Sequence, residues 1–225
     1  MNPANTLLIF IGCFSIFFII KWISKPNRSN KMFDKYGTVS TDTSNLLLLH
    51  VSGILWLGML PIILFRQTFI DLVQNNSTIS PGWFLSFLAA VALVTTCSSK
   101  ASRQVHINNK NIQVLSRRFI TNYFMARVLF LCSYELFFRG IFLFECIELL
   151  GLFNAIIIST GLTVLIHAFS DKKEMLACIP YGIIACVFCI SIHAIWPAII
   201  LHLAISLTYE IPHSKQFLTQ VKTSK

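Results

Sequence analysis

Charge is scarce in this 225-residue chain, and acid is scarcer than base. Only 12% of the residues are charged, nine Asp or Glu against 18 Lys or Arg, where a soluble domain carries about 25%. No polar stretch is long enough to be a soluble domain, and there is no internal repeat or low-complexity tract. These lacks exclude a water-soluble single core. Hydrophobic residues make up 55% of the chain, with 20 Phe, and the mean hydropathy is +0.71. A fold of this length has too little interior to hide so much apolar surface, whereas helices in a bilayer can turn apolar faces to lipid. A disulfide framework is also lacking. Cys13, Cys97, Cys132, Cys146, Cys178, Cys186 and Cys189 lie almost all inside apolar runs, not in the loops of a small secreted domain. Cys186 and Cys189 form a CxxC with no second pair, and buried packing is the better reading.

About 20 apolar residues cross the hydrocarbon core. Seven runs qualify: Thr6–Trp22, Leu46–Phe65, Ile79–Cys97, Phe119–Leu150, Leu152–Phe169, Met175–Ile190 and Ile195–Tyr209. The third is the weakest. The fourth is too long for a straight crossing, about 48 Å as one helix, so it must tilt, break or begin along the surface. Gly151 and the 191–194 stretch read as tight turns. The first run has no basic residue before it, and Lys21, Lys25, Arg28, Lys31 and Lys35 follow it. That order is the reverse of a cleavable signal peptide, so it reads as a retained anchor.

The net charge of +9 does not indicate nucleic acid, because the basic residues lie in short loops between apolar runs. With the N-terminus outside and the C-terminus cytoplasmic, fifteen Lys and Arg fall in inner loops and one, Arg66, in an outer loop. Such asymmetry sets orientation in multi-pass proteins of the cell membrane. The expectation is an all-α, multi-pass transmembrane bundle of about seven spans. Residues 1–117 hold N-terminal helices and basic loops, 118–210 a motif-bearing core, and 211–225 a cytoplasmic tail.

Ionisable residues inside spans cost about 2.5–3.5 kcal/mol each on insertion scales and mark functional sites. Here they are Arg127, Glu135, Arg139, Glu145, Glu148, His167 and His202, with His50 and His193 nearer span ends. Glu135 and Arg139 share a helix face at a spacing of four, as a functional pair or as a buried ion pair without chemistry. Counted from the turn at Gly151, Glu135 and His167 reach similar depth on antiparallel helices. His202 counts nearer the outer side. His202 and Ser206 share a face of the last span, where hydrogen bonding between helices is the bland alternative. A carboxylate and two histidines at one place suit water activation, a hydrolytic metal site or a proton relay. Residue types alone leave the three open.

The pattern resembles the CAAX-protease and bacteriocin-processing (CPBP, or Abi) family of membrane proteins. Its Glu-Glu-x-x-x-Arg motif aligns with Tyr134-Glu135-Leu136-Phe137-Phe138-Arg139, followed by Gly140. Its Phe-x-x-x-His aligns with Thr163 to His167, and its His-x-x-x-Asn with His202 to Ser206, after a Trp196-Pro197-Ala198 lead-in. Glu174 also looks family-like. The resemblance covers about Arg118 to Glu210. Tyr134 stands for the first Glu, Thr163 for the Phe and Ser206 for the Asn.

The resemblance implies a helical bundle around a polar intramembrane cavity, and an intramembrane endopeptidase acting on a peptide or on a prenylated or membrane-anchored segment. By carry-over Glu135 and His167 activate water, His202 and Ser206 serve the oxyanion, and Arg139 orients Glu135. Glu135, His167 and His202 are then expected to line one cavity. Adjacent helical residues point about 100° apart, so Glu135 cannot simply take the place of a Glu at 134. The Tyr134 hydroxyl is a poor base at neutral pH but can donate a hydrogen bond. No cofactor is expected. The alternative is zinc held by Glu135, His167 and His202. The rival functions are a non-catalytic scaffold or immunity-type binding protein that keeps the fold, and a proton-coupled transporter, for which broken inverted repeats are lacking.

Overall fold

The computed structural model describes residues 2–24, 31–32, 43–74, 79–104, 117–169 and 172–223. Among these, every regular element is a helix and there is no strand. Helix α1 (Pro3–Ile23) begins at Asn2, whose side chain accepts from Ala4 N at 3.1 Å, with Pro3 in the first turn. This combination satisfies an orphan amide where proline has none to lose. Helices α2 (Thr43–Gly53) and α3 (Leu60–Leu64) are joined through a π turn at Ile54–Met59, and α4 (Arg66–Gln74) is short. Helix α5 (Pro81–Arg103) repeats the start of α1, with Ser80 as cap and Pro81 behind it.

The long fourth run is relieved by a break. Helix α6 (Arg117–Glu135) passes into a π turn at Leu136–Ile141 and on to α7 (Phe142–Leu150). Gly140 leaves helical geometry at φ −94° and ψ −108°, and such turns commonly mark functional positions in helices. Gly151 has φ +83°, a conformation that favours glycine, and reverses the chain into α8 (Leu152–Ile166). A 3-10 turn at His167–Phe169 precedes α9 (Lys172–Ile192). His193, at φ +51°, turns the chain into α10 (Trp196–Thr223).

Four helical stretches are long and apolar enough to cross a membrane: Pro3–Ile23, Ser44–Leu64, Pro81–Arg103 and Lys172–Ile192; Leu152–Ile166 is apolar but shorter. The helices that carry Glu135 and His202 are not among the four, because they hold the polar residues of the interior. Outward side chains such as Leu8, Leu85 and Phe153 are mostly exposed. In water each would forfeit about 1.5–3 kcal/mol of burial, and in a bilayer lipid covers them. The chain is thus an all-α membrane bundle.

Its interior uses the abundant phenylalanine. Phe10 of α1 stacks on Phe65 at 4.7 Å between ring centroids and meets Phe137 and Phe142 edge-on at 5.9 and 5.1 Å. These contacts fasten α1 to the π turn that follows Glu135. All seven cysteines are free, Cys186 and Cys189 fully buried among them.

Part of the segment assigned to a tail is helical, since α10 runs through Pro212 to Thr223. The loop residues Lys25, Arg28, Lys35 and Lys110 and the terminal Lys225, which weigh in the charge asymmetry, lie outside the described residues.

Candidate active site

Helices α6, α8, α9 and α10 enclose a cavity of about 140 Å³. Tyr134, His167, Glu174, Tyr181, His202 and Ser206 are on its wall. Glu135 is not. It is the last residue of α6, fully buried behind the wall, and its Oε1 accepts from His202 Nδ1 at 2.5 Å and from the Tyr181 hydroxyl at 3.1 Å. Its Oε2 lies 3.5 Å from Arg139 Nη1. The Arg139 guanidinium carbon is 5.5 Å from the Tyr181 ring centroid and 5.9 Å from that of Phe138, favourable placements for a buried cation. Gly182 makes room for it: a Cβ there would lie 3.0 Å from Arg139 Nη2 and 2.9 Å from Thr160 Cγ2.

His167 caps the C-terminus of α8. The chain is held there by Lys21 of α1, whose buried ammonium donates to Ile166 O at 2.8 Å, a carbonyl the helix end leaves unpaired. His167 Nδ1 is 3.3 Å from Glu174 Oε1, and Glu174 Oε2 is 3.2 Å from Lys31 Nζ. Two carboxylate–imidazole pairs therefore converge on one cavity, Glu135–His202 and Glu174–His167.

Ser206 has its hydroxyl committed elsewhere. It accepts from Arg127 Nε and Nη2, both at 3.2 Å, and donates to Glu210 Oε1 at 3.1 Å. Arg127 pairs with Glu210 at 3.2 Å, and Glu210 also accepts from the Tyr123 hydroxyl. Tyr123, Arg127 and Glu210 are buried. Sequence reasoning named Arg127 only as a charge within a span and left Tyr123 and Glu210 out. The spacing of four from Tyr123 to Arg127, and from Ser206 to Glu210, was the available signal.

Three expectations are corrected by this geometry. The first placed Glu135 on the cavity wall with the two histidines, but the wall carboxylate is Glu174. The second set Glu135 level with His167. Instead Ser159 Oγ donates to Phe138 O at 2.7 Å, so a residue thirteen before Gly151 sits beside one eight after it. The π turn and the break at Gly140 shorten one arm of the hairpin, and equal counting fails. The third put His202 nearer the outer side than Glu135, whereas the two are in direct contact.

Zinc at Glu135, His167 and His202 would need ligands about 2.0–2.2 Å from one point. The Glu135 carboxylate is engaged by Arg139, Tyr181 and His202, and among the described residues no group of three His, Cys, Asp or Glu is arranged to hold a metal. The donor set does not fit.

Comparison with curated proteins and with solved structures gives no match. Residues 117–208, which contain all three motifs, match the family described as Rce1-like, type II CAAX prenyl endopeptidase Rce1-like, in agreement with the motif resemblance.

Proposed function

We propose that the protein is an intramembrane endopeptidase of the CAAX-protease type, acting on a peptide or membrane-anchored segment that enters from the cytoplasmic side. The observation that carries this reading is the convergence of two carboxylate–histidine pairs on one cavity within the family segment. Glu174 lies 3.3 Å from Nδ1 of His167, an ion-pair distance without hydrogen-bond geometry, and the other ring nitrogen is left to take a proton from water. The water oxygen bonds to the carbonyl carbon, and the carbonyl electron pair moves to its oxygen. Glu135, beside Arg139, accepts from Nδ1 of His202 and so orients the ring. The His202 ring, fixed in this way on the cavity wall, stands where the oxyanion forms. When the C–N bond breaks, His167 returns its proton to the leaving amine. Glu135 thus orients His202 and does not touch water. The role carried over to Ser206 is weakened, because its single proton goes to Glu210.

The cytoplasmic placement follows from the charge asymmetry and from Lys31, a residue of the first basic loop, on the cavity wall. A reporter fused at Asn76 should report the outer side, and a cytoplasmic signal there would overturn the orientation.

A second reading is favoured by one observation: Tyr134, on the wall, fills the place of the family's first Glu. A protein so altered keeps the fold as a binding scaffold. Purified protein in vesicles, offered labelled peptides with and without a prenyl group, separates the two. Cleavage that is lost in His167→Ala supports the peptidase. No cleavage by the wild type, with cleavage created by Tyr134→Glu and dependent on His167, supports the scaffold.

A further inference from the structure

The chain seats a piece of itself at the mouth of the cavity. Met32 follows Lys31 in one of the two most basic loops of the sequence, yet it is fully buried. Its backbone N–H donates to the Tyr123 hydroxyl at 3.0 Å and lies 3.5 Å from Glu210 Oε2. Lys31 is on the cavity wall, with its ammonium 3.2 Å from Glu174 Oε2 and 5.1 Å from the Tyr209 ring centroid. The mouth therefore offers three kinds of contact. Glu174 and the Tyr209 ring receive a cation. The Tyr123–Glu210 pair receives a main-chain N–H, a group any peptide supplies. The fully buried position of Met32 receives a long, unbranched apolar side chain.

We propose that this mouth is a docking site for an extended peptide with a basic residue followed by a large unbranched apolar one, and that Lys31–Met32 is its resident occupant. The inference rests on the endopeptidase reading and gives it a substrate class and a resting state. Lys31 engages the same carboxylate that holds His167. An incoming peptide of matching pattern replaces the occupant group for group, ammonium for ammonium and N–H for N–H, so no buried acceptor is left unpaired. A peptide with an acidic residue in the first place meets Glu174 as a like charge, and one with a small polar residue in the second leaves the buried position of Met32 unfilled.

Cys178 is on the cavity wall and nearly buried, which makes it a reporter that needs no cleavage. In a chain with Cys97 and Cys132 replaced by serine, a water-soluble maleimide should label Cys178 slowly. Lys31→Ala and Met32→Gly should each raise the rate several-fold, while Met32→Leu keeps it low. In either opened variant, a short capped peptide containing Lys-Met should restore slow labelling, and the same peptide with Glu-Met or Lys-Ser should not. Equal rates in wild type and Lys31→Ala would show that the occupant covers nothing. Equal protection by all three peptides would remove the stated preference. Lys31 is partly exposed, so Lys31→Ala decides the matter even if Met32→Gly fails to fold. Protection by the Lys-Met peptide without its cleavage would sink the peptidase reading and leave this inference standing, and cleavage without any preference would do the reverse.

Discussion

The two carboxylate–histidine pairs face one cavity but live in different surroundings. The Glu135 carboxylate is 0% exposed and shares its charge with Arg139, itself 0% exposed. The Glu174 side chain is 32% exposed, and its second partner, Lys31, is 26% exposed. Burial of both Glu135 and Arg139 makes that ion pair a fixed part of the bundle, since breaking it leaves a charge with no solvent to receive it. The second pair can exchange partners and protons with whatever enters the cavity. In the proposed mechanism one pair orients and the other reacts, an assignment that rests on the depth of the two carboxylates and not on residue type.

Removing the two carboxylates tests that difference directly. Glu135→Gln leaves Arg139 without a counter-charge and should destabilise the bundle by about 3–5 kcal/mol, read as the midpoint of unfolding in detergent. Glu174→Gln should cost about 1 kcal/mol or less, yet lower kcat by about a hundredfold or more. A Glu135→Gln protein as stable as wild type, with kcat abolished, would mean that the buried carboxylate is the base and the roles are exchanged.

Much of this was legible beforehand, and what was missed has a physical cause. Composition and run length carry the all-helical bundle, because lipid tolerates what a soluble core cannot hide. The length of the fourth run leaves tilt, a break or a start along the surface, of which the structure takes the break, and the three motifs mark Glu135, Arg139, His167 and His202 by residue type and spacing. Depth was misread because residue counting assumes regular helices, and the π turn at Leu136–Ile141 with the break at Gly140 violates that assumption between Glu135 and its reference point at Gly151. The network of Tyr123, Arg127, Ser206 and Glu210 depends on how α6 and α10 face each other, which no single helix pattern contains. The 100° offset between adjacent residues meant only that Glu135 could not simply take the place of a Glu at 134; the structure puts Tyr134 on the wall and Glu135 behind it.

The sealed pair can also be strained from outside. Gly182→Ala would bring a methyl group against Arg139 and Thr160 and should cost about 1–3 kcal/mol as an overpacking change. At Gly161, also helical, a Cβ meets nothing within 4 Å, and alanine should stabilise by about 1 kcal/mol. Unfolding midpoints of the two variants give the comparison. Equal effects would show that Arg139 has slack and that its pair with Glu135 is not rigid.

The smallest effect is expected at Tyr134. Its ring is 2% exposed and meets the His202 ring edge-on at 5.5 Å between centroids. Its hydroxyl faces Thr163 without a hydrogen bond of normal geometry. Tyr134→Phe keeps the ring contact and removes a buried polar atom that gains little, so stability should change by about 1 kcal/mol or less, and an increase is as reasonable as a decrease. Cleavage should fall only a few-fold, because neither carboxylate–histidine pair loses a partner. Tyr134→Ala removes the ring packed edge-on against His202 and should lower kcat further with the fold intact. If Tyr134→Phe instead abolishes cleavage while Glu174→Gln leaves it whole, the reacting proton passes through the tyrosine hydroxyl. The half-exposed pair would then be a hinge for Lys31 and not the base.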